Sequence, residues 1–303
     1  MDWKELTLPI TDPTWIFLIV LLIILFAPLL FNRLRIPNII GMILAGVLIG
    51  EHGLNLLARD SSFELFGNVG LYYIMFLAGL EINMSDFKRN RKKAAVLGML
   101  AFLIPISIGF IVNTTLLKYS VVTSILLASM YASYTLISYP IVLRLGVSRQ
   151  RSVSIAVGAT AVTDTLTLLV LAVISGIYQG GTGQMYWIGL AIKVVLTGAL
   201  IMYSVPRIAR WFFRKYDDTI MQFIFVMVLL FASAGLMETA GLEGILGAFL
   251  AGILLNRLIP NISPLKSHIE FVGNALFIPF FLIGVGMLID LRVIFGHGDA
   301  LKV

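Results

Sequence analysis

The chain has 303 residues, of which 59% are hydrophobic and only 13% are charged, and its mean hydropathy is +0.98. Soluble domains carry about 25% charged residues, so this composition excludes an ordinary soluble domain and predicts an all-α polytopic membrane protein. The net charge of +6 does not indicate a nucleic-acid partner, because the basic residues gather in short segments between apolar stretches. The absence of cysteine excludes disulfides and thiolate metal sites.

Ten apolar segments follow one another along the chain, and each is a predicted membrane span. They lie at residues 14–31, 38–50, 66–83, 94–114, 120–143, 152–177, 185–205, 220–237, 242–257 and 271–291. The second and the ninth are short for a hydrocarbon core of about 30 Å. Both are rich in glycine, which indicates close packing against neighbouring helices.

Basic residues in the loops between the predicted spans fall almost entirely on one side of the membrane. Sixteen of them follow odd-numbered spans, whereas the opposite internal loops hold only Arg59 and Lys118. Lysine and arginine favour the cytoplasmic side, so the pattern predicts an N-terminus outside the cell. The sixteen are Arg33, Arg35, Lys88, Arg89, Arg91, Lys92, Lys93, Arg144, Arg149, Arg151, Arg207, Arg210, Arg214, Lys215, Arg257 and Lys266.

Two segments from the early part of the chain recur near its end. The aligned pairs are residues 41–50 with 247–256, and residues 67–68 with 273–274. Both pairs are 206 residues apart, which favours a true repeat over a chance match of Gly, Ala and Leu. The paired spans are seven spans apart, so the copies run in opposite directions through the membrane. Inverted repeats of this kind are typical of secondary transporters.

The repeat divides what we expect to be a single membrane domain, 1–303. The first repeat covers about 38–177, a linker helix covers about 185–215, and a partial second repeat covers about 242–303. The partners of spans five and six would then lie beyond Val303. The sequence therefore predicts a C-terminally truncated domain.

Span five is unusually polar for a membrane helix. Hydroxyl groups crowd its middle, and Pro140 removes a backbone donor and frees a carbonyl. An unwound helix in the membrane needs such groups to satisfy its backbone, and their oxygens suit Na⁺ or K⁺. The alternative is a kinked packing helix whose hydroxyls bond their own turn. The hydroxyl residues are Ser129, Ser133, Tyr134, Thr135, Ser138 and Tyr139.

Span six contains Asp164 near its centre. A carboxylate at that depth costs roughly 2.5 to 3.5 kcal/mol, so it indicates a group that binds a proton, a cation or a partner. A carboxylate that holds either a proton or a cation, but not both, is the minimum requirement of an exchanger. The alternative is a protonated carboxyl group that donates one hydrogen bond between helices. Four hydroxyls surround it: Thr160, Thr163, Thr165 and Thr167.

Four ordered motifs resemble the monovalent cation:proton antiporter-2 (Kef-type) family, whose membrane domain is sodium/hydrogen exchanger-like. They lie at residues 41–50, 70–81, 241–255 and 277–291. The resemblance implies an inverted-repeat antiporter fold of thirteen spans with broken helices, of which about ten spans are present here. It also implies a homodimer in the inner (cell) membrane, no cofactor, and a possible cytoplasmic regulatory domain at the C-terminus.

The same resemblance implies exchange of Na⁺ or K⁺ for protons by alternating access. Asp164 stands at the position of the family's ion-binding aspartate, and Ser133 and Thr135 stand in the unwound part of its first broken helix. Thr163 departs from the Asn or Asp common at its position, although its hydroxyl is also expected to help ligate the cation. A single carboxylate then favours one proton per cation.

Two other functions remain open from the sequence. The first is a gated K⁺ efflux system of the same fold, and the second is a transport-incompetent membrane fragment or sensor. An enzyme is not expected, because the sequence shows no nucleophile–base pair and no cluster of metal-ligand residues.

Overall fold

The computed structural model describes residues 8–33, 37–81, 84–132, 151–178, 184–260 and 262–290. Helices make up nearly all of these ranges, as the composition predicted. The helices are α1 (Pro13–Arg33), α2 (Asn38–Ile49), α3 (Ser61–Glu81), α4 (Met84–Thr115), α5 (Val121–Met130), α6 (Arg151–Tyr178), α7 (Gln184–Lys215), α8 (Thr219–Thr239), α9 (Gly244–Asn256), α10 (Pro264–Val272) and α11 (Ile278–Met287).

Each of the ten predicted spans contains a helix. Six helices in the described ranges are long and apolar enough to cross a membrane, and the other apolar helical stretches, four in number, are shorter. Several helices extend beyond the predicted spans: α4 begins at Met84 rather than 94, and α7 continues to Lys215 rather than 205. Hydropathy marks only the part of a helix in the hydrocarbon core, whereas charged turns continue the same helix into the interface.

The chain divides into two compact units. The first comprises Met1–Ile74 with Lys266–Val303, and its centre is a cluster of aromatic rings. The ring of Phe280 lies 5.3 Å from that of Phe17, 5.5 Å from that of Phe63 and 5.0 Å from that of Phe66, centroid to centroid. These rings hold α1, the start of α3 and α11 together by burying apolar surface.

Glycines let α2 and α11 approach closely in this first unit. A Cβ atom on Gly46 would lie 2.1 Å from the carbonyl oxygen of Ile283, and one on Gly286 would lie 2.1 Å from the carbonyl oxygen of Ile43. No side chain larger than hydrogen fits at either position without moving the backbone. This pair of contacts is the first glycine seam, and it agrees with the close packing that glycine predicted in span two.

The second unit, Met75–Leu265, contains a similar close contact between α3 and α9. A Cβ atom on Gly79 would lie 2.4 Å from the carbonyl oxygen of Phe249, and one on Gly252 would lie 2.2 Å from that of Phe76. This is the second glycine seam. At its end, the side-chain amide of Asn256 donates a hydrogen bond to the carbonyl oxygen of Leu80.

A single π-helical turn, Gly273–Phe277, joins α10 to α11. The three pieces form one continuous helix that starts at Pro264 and ends at Met287. A π turn accommodates one residue more than an α turn, so the segment carries an inserted residue without losing its helical path. Just before this turn, the buried hydroxyl of Tyr73 donates to the carbonyl oxygen of Ile269 at 2.7 Å.

Candidate ion site on α5 and α6

Asp164 lies in the interior of α6, a helix of 28 residues that is continuous through this point. Its side chain is half-buried. The preceding Thr163 is 1% exposed, and its Oγ1 donates to the carbonyl oxygen of Thr160 at 2.8 Å. This bond uses the hydroxyl proton. The lone pairs of Oγ1 can still accept a hydrogen bond or bind a cation.

The helix α5 ends within the predicted span 120–143, as expected for a broken helix. It stops at Met130, and the chain turns at Tyr131 and Ala132, where the Ala132 amide donates to the carbonyl oxygen of Ser129 at 3.3 Å. The last carbonyls of a helix lack intrahelical partners and carry the negative end of its dipole. An electronegative backbone terminus therefore lies inside the span.

One hydrogen bond joins this terminus to the helix of Asp164. Thr167 Oγ1 on α6 donates to the same Ser129 carbonyl oxygen at 3.2 Å. Thr167 and Asp164 are three residues apart, which places them on one face of α6. The structure therefore brings a carboxylate, threonine hydroxyls and the carbonyl end of α5 to one region. These are hard oxygen groups, the kind that bind a monovalent cation.

The helix α4 contacts both helices of the candidate site, α5 and α6. Asn113 is fully buried, and its amide nitrogen donates to the carbonyl oxygen of Ser124 on α5 at 3.3 Å. Tyr131 Oη donates to Asn113 Oδ1 at 3.4 Å, which fixes the turn after α5. Farther along α4, a Cβ atom on Gly98 would lie 2.7 Å from the carbonyl oxygen of Ala159 on α6. This close approach sets the position of α6 one turn before Thr163.

The predicted site residues divide into two groups. Asp164 and Thr163 lie on α6, about one turn before the Thr167 that bonds the end of α5, whereas Ser133 and Thr135 lie outside the described residues. Sequence reasoning missed Asn113 as a support of the site. Asn113 stands near the end of the apolar span 94–114, and an amide in a membrane needs a hydrogen-bond partner. The sequence could therefore have indicated that Asn113 contacts a neighbouring helix.

Comparison with known proteins gives three findings. A family model described as "Sodium/hydrogen exchanger, transmembrane" matches residues 20–303. The chain is similar to Na⁺/H⁺ antiporter NhaS5 of Synechocystis sp. (40% identity over 93% of this chain and 40% of that protein). It is also similar to probable Na⁺/H⁺ antiporter 3 of Methanocaldococcus jannaschii (29% identity over 93% of this chain and 73% of that protein).

The structure resembles that of the sodium proton antiporter MjNhaP1 from Methanocaldococcus jannaschii at pH 8. The TM-score is 0.64 at 20% identity, over 92% of this chain and 70% of that one, which shows a common fold. The chain spans only 40% of the length of its Synechocystis relative.

Proposed function

Because the chain belongs to the sodium/hydrogen exchanger family, we propose that it exchanges Na⁺ for protons across the cell membrane by alternating access. One observation carries the proposal: Asp164 lies on α6 about one turn before Thr167, whose Oγ1 donates to the Ser129 carbonyl oxygen at the end of α5 at 3.2 Å. A carboxylate beside a helix C-terminus is a favourable place for a cation and a costly place for a bare negative charge.

In the proposed cycle, Asp164 holds a proton when the site faces one side and a cation when it faces the other. The negative end of α5 disfavours the empty carboxylate, so the site alternates between its two loaded states. Thr163 Oγ1, Ser133 and Thr135 complete the oxygen shell of the cation. With one carboxylate among these residues, the stoichiometry is one proton per cation.

Replacement of Asp164 tests this mechanism directly. We expect Asp164→Asn, in protein reconstituted into liposomes, to abolish Na⁺-driven proton movement, because the amide cannot exchange a proton for a cation. The control is Glu64→Gln, which neutralises an exposed carboxylate paired with Arg59 at 3.7 Å. Coupled exchange that survives in Asp164→Asn would refute the mechanism.

The identity of the cation needs a separate measurement. The resemblance to Kef-type proteins, which we keep as a proposed subfamily, favours K⁺ as an alternative to Na⁺. Liposomes with an imposed pH gradient and either cation outside distinguish the two. Passage of K⁺ without proton movement would instead indicate a gated K⁺ efflux system. Absence of any flux would favour a fragment or sensor that does not transport by itself.

The assembly and orientation also remain proposals. We propose a homodimer and a cytoplasmic regulatory domain, which the family resemblance supports, and an N-terminus outside the cell, which the distribution of basic residues supports. Crosslinking in membranes tests the dimer.

A further inference from the structure

The helix α7 ends in a group of basic residues that face outward. They line an open groove of about 550 Å³ at the end of the helix, together with one tryptophan. None of them forms an ion pair with a carboxylate in the described part of the chain. The groove residues are Arg207, Arg210, Trp211, Arg214 and Lys215.

Two carboxylates follow the groove residues in the chain, Asp217 and Asp218, and neither forms an ion pair with a groove residue in the described part of the chain. Asp218 caps α8, and its carboxylate accepts from the amide of Ile220 at 3.2 Å. The four basic side chains of the groove outnumber these two carboxylates, so the end of this apolar helix keeps a net positive charge.

The basic residues continue an apolar stripe along the same face of α7. Residues three or four apart share a helix face, and the stripe changes from apolar to basic along its length. The opposite face, at Ile201, Val205 and Ala209, is buried against the protein. The exposed stripe runs through Leu196, Leu200, Tyr203, Arg207, Arg210 and Arg214.

Local contacts hold the guanidinium groups along the helix. The Arg207 guanidinium lies 3.4 Å from the centroid of the Tyr203 ring, and its Nη1 donates to the Tyr203 carbonyl oxygen at 3.0 Å. Arg210 Nε donates to the carbonyl oxygen of Pro206, also at 3.0 Å. Each of these bonds uses one of five N–H groups, so both guanidinium groups keep donors for a ligand. Trp211 is 59% exposed, at the depth where tryptophan commonly marks the membrane interface.

We propose that this stripe binds an anionic phospholipid, with its phosphate on Arg207, Arg210 and Arg214 and its acyl chains along Leu196 and Leu200. Arginine matches phosphate by paired N–H donors, and basic clusters next to a membrane helix attract anionic headgroups. A soluble anion would use only the basic half of the stripe. An amphiphile uses both halves, so the geometry favours a lipid over free phosphate.

The test compares lipid binding by the full chain and by two matched variants. The first variant combines Arg207→Gln, Arg210→Gln and Arg214→Gln, and the control combines Arg33→Gln, Lys92→Gln and Lys93→Gln. Both remove three exposed charges from the same predicted side of the membrane. Each protein is titrated with phosphatidylglycerol or phosphatidylcholine in detergent micelles, and bound lipid is counted by native mass spectrometry.

We expect the unmodified chain and the control to prefer phosphatidylglycerol, and the first variant to bind it on the order of 100-fold more weakly. If the triple variant does not remain monodisperse, Arg210→Gln alone is measured and should weaken binding about fivefold. Equal binding by variant and control would overturn the proposal, and so would equal binding of the two lipids. Displacement of the lipid by millimolar inorganic phosphate would overturn it as well, because it would indicate a phosphate site. None of these results depends on ion exchange.

Discussion

At the scale of single residues, the Ser129 carbonyl oxygen is central to the candidate site, because it accepts hydrogen bonds both from its own turn and from the neighbouring helix. The Ser129 carbonyl receives the Ala132 amide at 3.3 Å and Thr167 Oγ1 at 3.2 Å. Asp164 could be predicted as a site residue from the sequence because a carboxylate in an apolar stretch is costly. The partner of Thr167 could not be identified, because the two residues are 38 apart and meet only through helix packing.

Removal of the Thr167 hydroxyl should separate positioning from ion binding. Thr167→Val keeps the side-chain shape but removes the donor that α6 supplies to the Ser129 carbonyl, at a cost of about 1 kcal/mol. We expect the Na⁺ concentration for half-maximal exchange to rise several-fold while the protein remains folded, as measured by proton flux in liposomes.

Thr114→Val provides the control for this substitution. Among the residues that the structure describes, the hydroxyl of Thr114 bonds only carbonyl oxygens of its own helix, Phe110 at 2.7 Å and Ile111 at 3.1 Å. The prediction for Thr167 is contradicted if the two variants show the same Na⁺ dependence.

At the scale of helices, the two glycine seams make the same contact with different residues. Gly46 and Gly252 are 206 residues apart, and Gly79 and Gly286 are 207 apart. We propose that the seams are equivalent contacts of the two copies of the repeat. The residues whose carbonyl oxygens meet these glycines support the equivalence, because they have the same separations in sequence. Ile43 and Phe249 are 206 residues apart, and Phe76 and Ile283 are 207 apart.

Substitutions in the second seam should destabilise the fold strongly. Gly252→Ala places a methyl group 2.2 Å from the Phe76 carbonyl oxygen, so the helices must separate. Overpacking of this kind costs about 1 to 3 kcal/mol. We expect a lower melting temperature in detergent, measured by intrinsic fluorescence.

Gly235→Ala is the matched control, because a Cβ atom at that position on α8 meets no atom within 4 Å. Alanine there should leave the melting temperature unchanged or raise it, since alanine favours a helix over glycine by up to about 1 kcal/mol. Equal destabilisation by both substitutions would show that the seam is not tightly packed.

At the scale of the whole molecule, the sequence predicted where helices lie better than where they end. Each of the ten apolar stretches contains a helix in the described part of the chain, because a hydrocarbon core requires apolar helices. The sequence did not predict that α4 begins at Met84 or that α7 continues to Lys215. These charged extensions lie outside the apolar stretches, so hydropathy gives no signal for them. Contacts between helices, such as that of Asn113 with Ser124, depend on packing that hydropathy does not encode.

The predicted orientation can be measured because the natural chain contains no cysteine. Each introduced cysteine is then the only thiol. We expect Glu51→Cys to react with a membrane-impermeant maleimide added to intact cells, and Asp217→Cys to react only after permeabilisation. The reverse pattern would place the N-terminus in the cytoplasm.

The π-helical turn Gly273–Phe277 gives the molecule a place where its chain length can change. Because this turn absorbs one extra residue, deletion of Ala275 should convert it to a regular α turn and leave Gly286 facing Ile43. Deletion of Leu282, beyond the turn, should instead rotate the following residues by about 100° and remove Gly286 from the first seam. Thermal stability should therefore survive the first deletion and not the second. A π turn therefore lets a membrane helix gain one residue while the side chains on both sides of the insertion keep their facing partners.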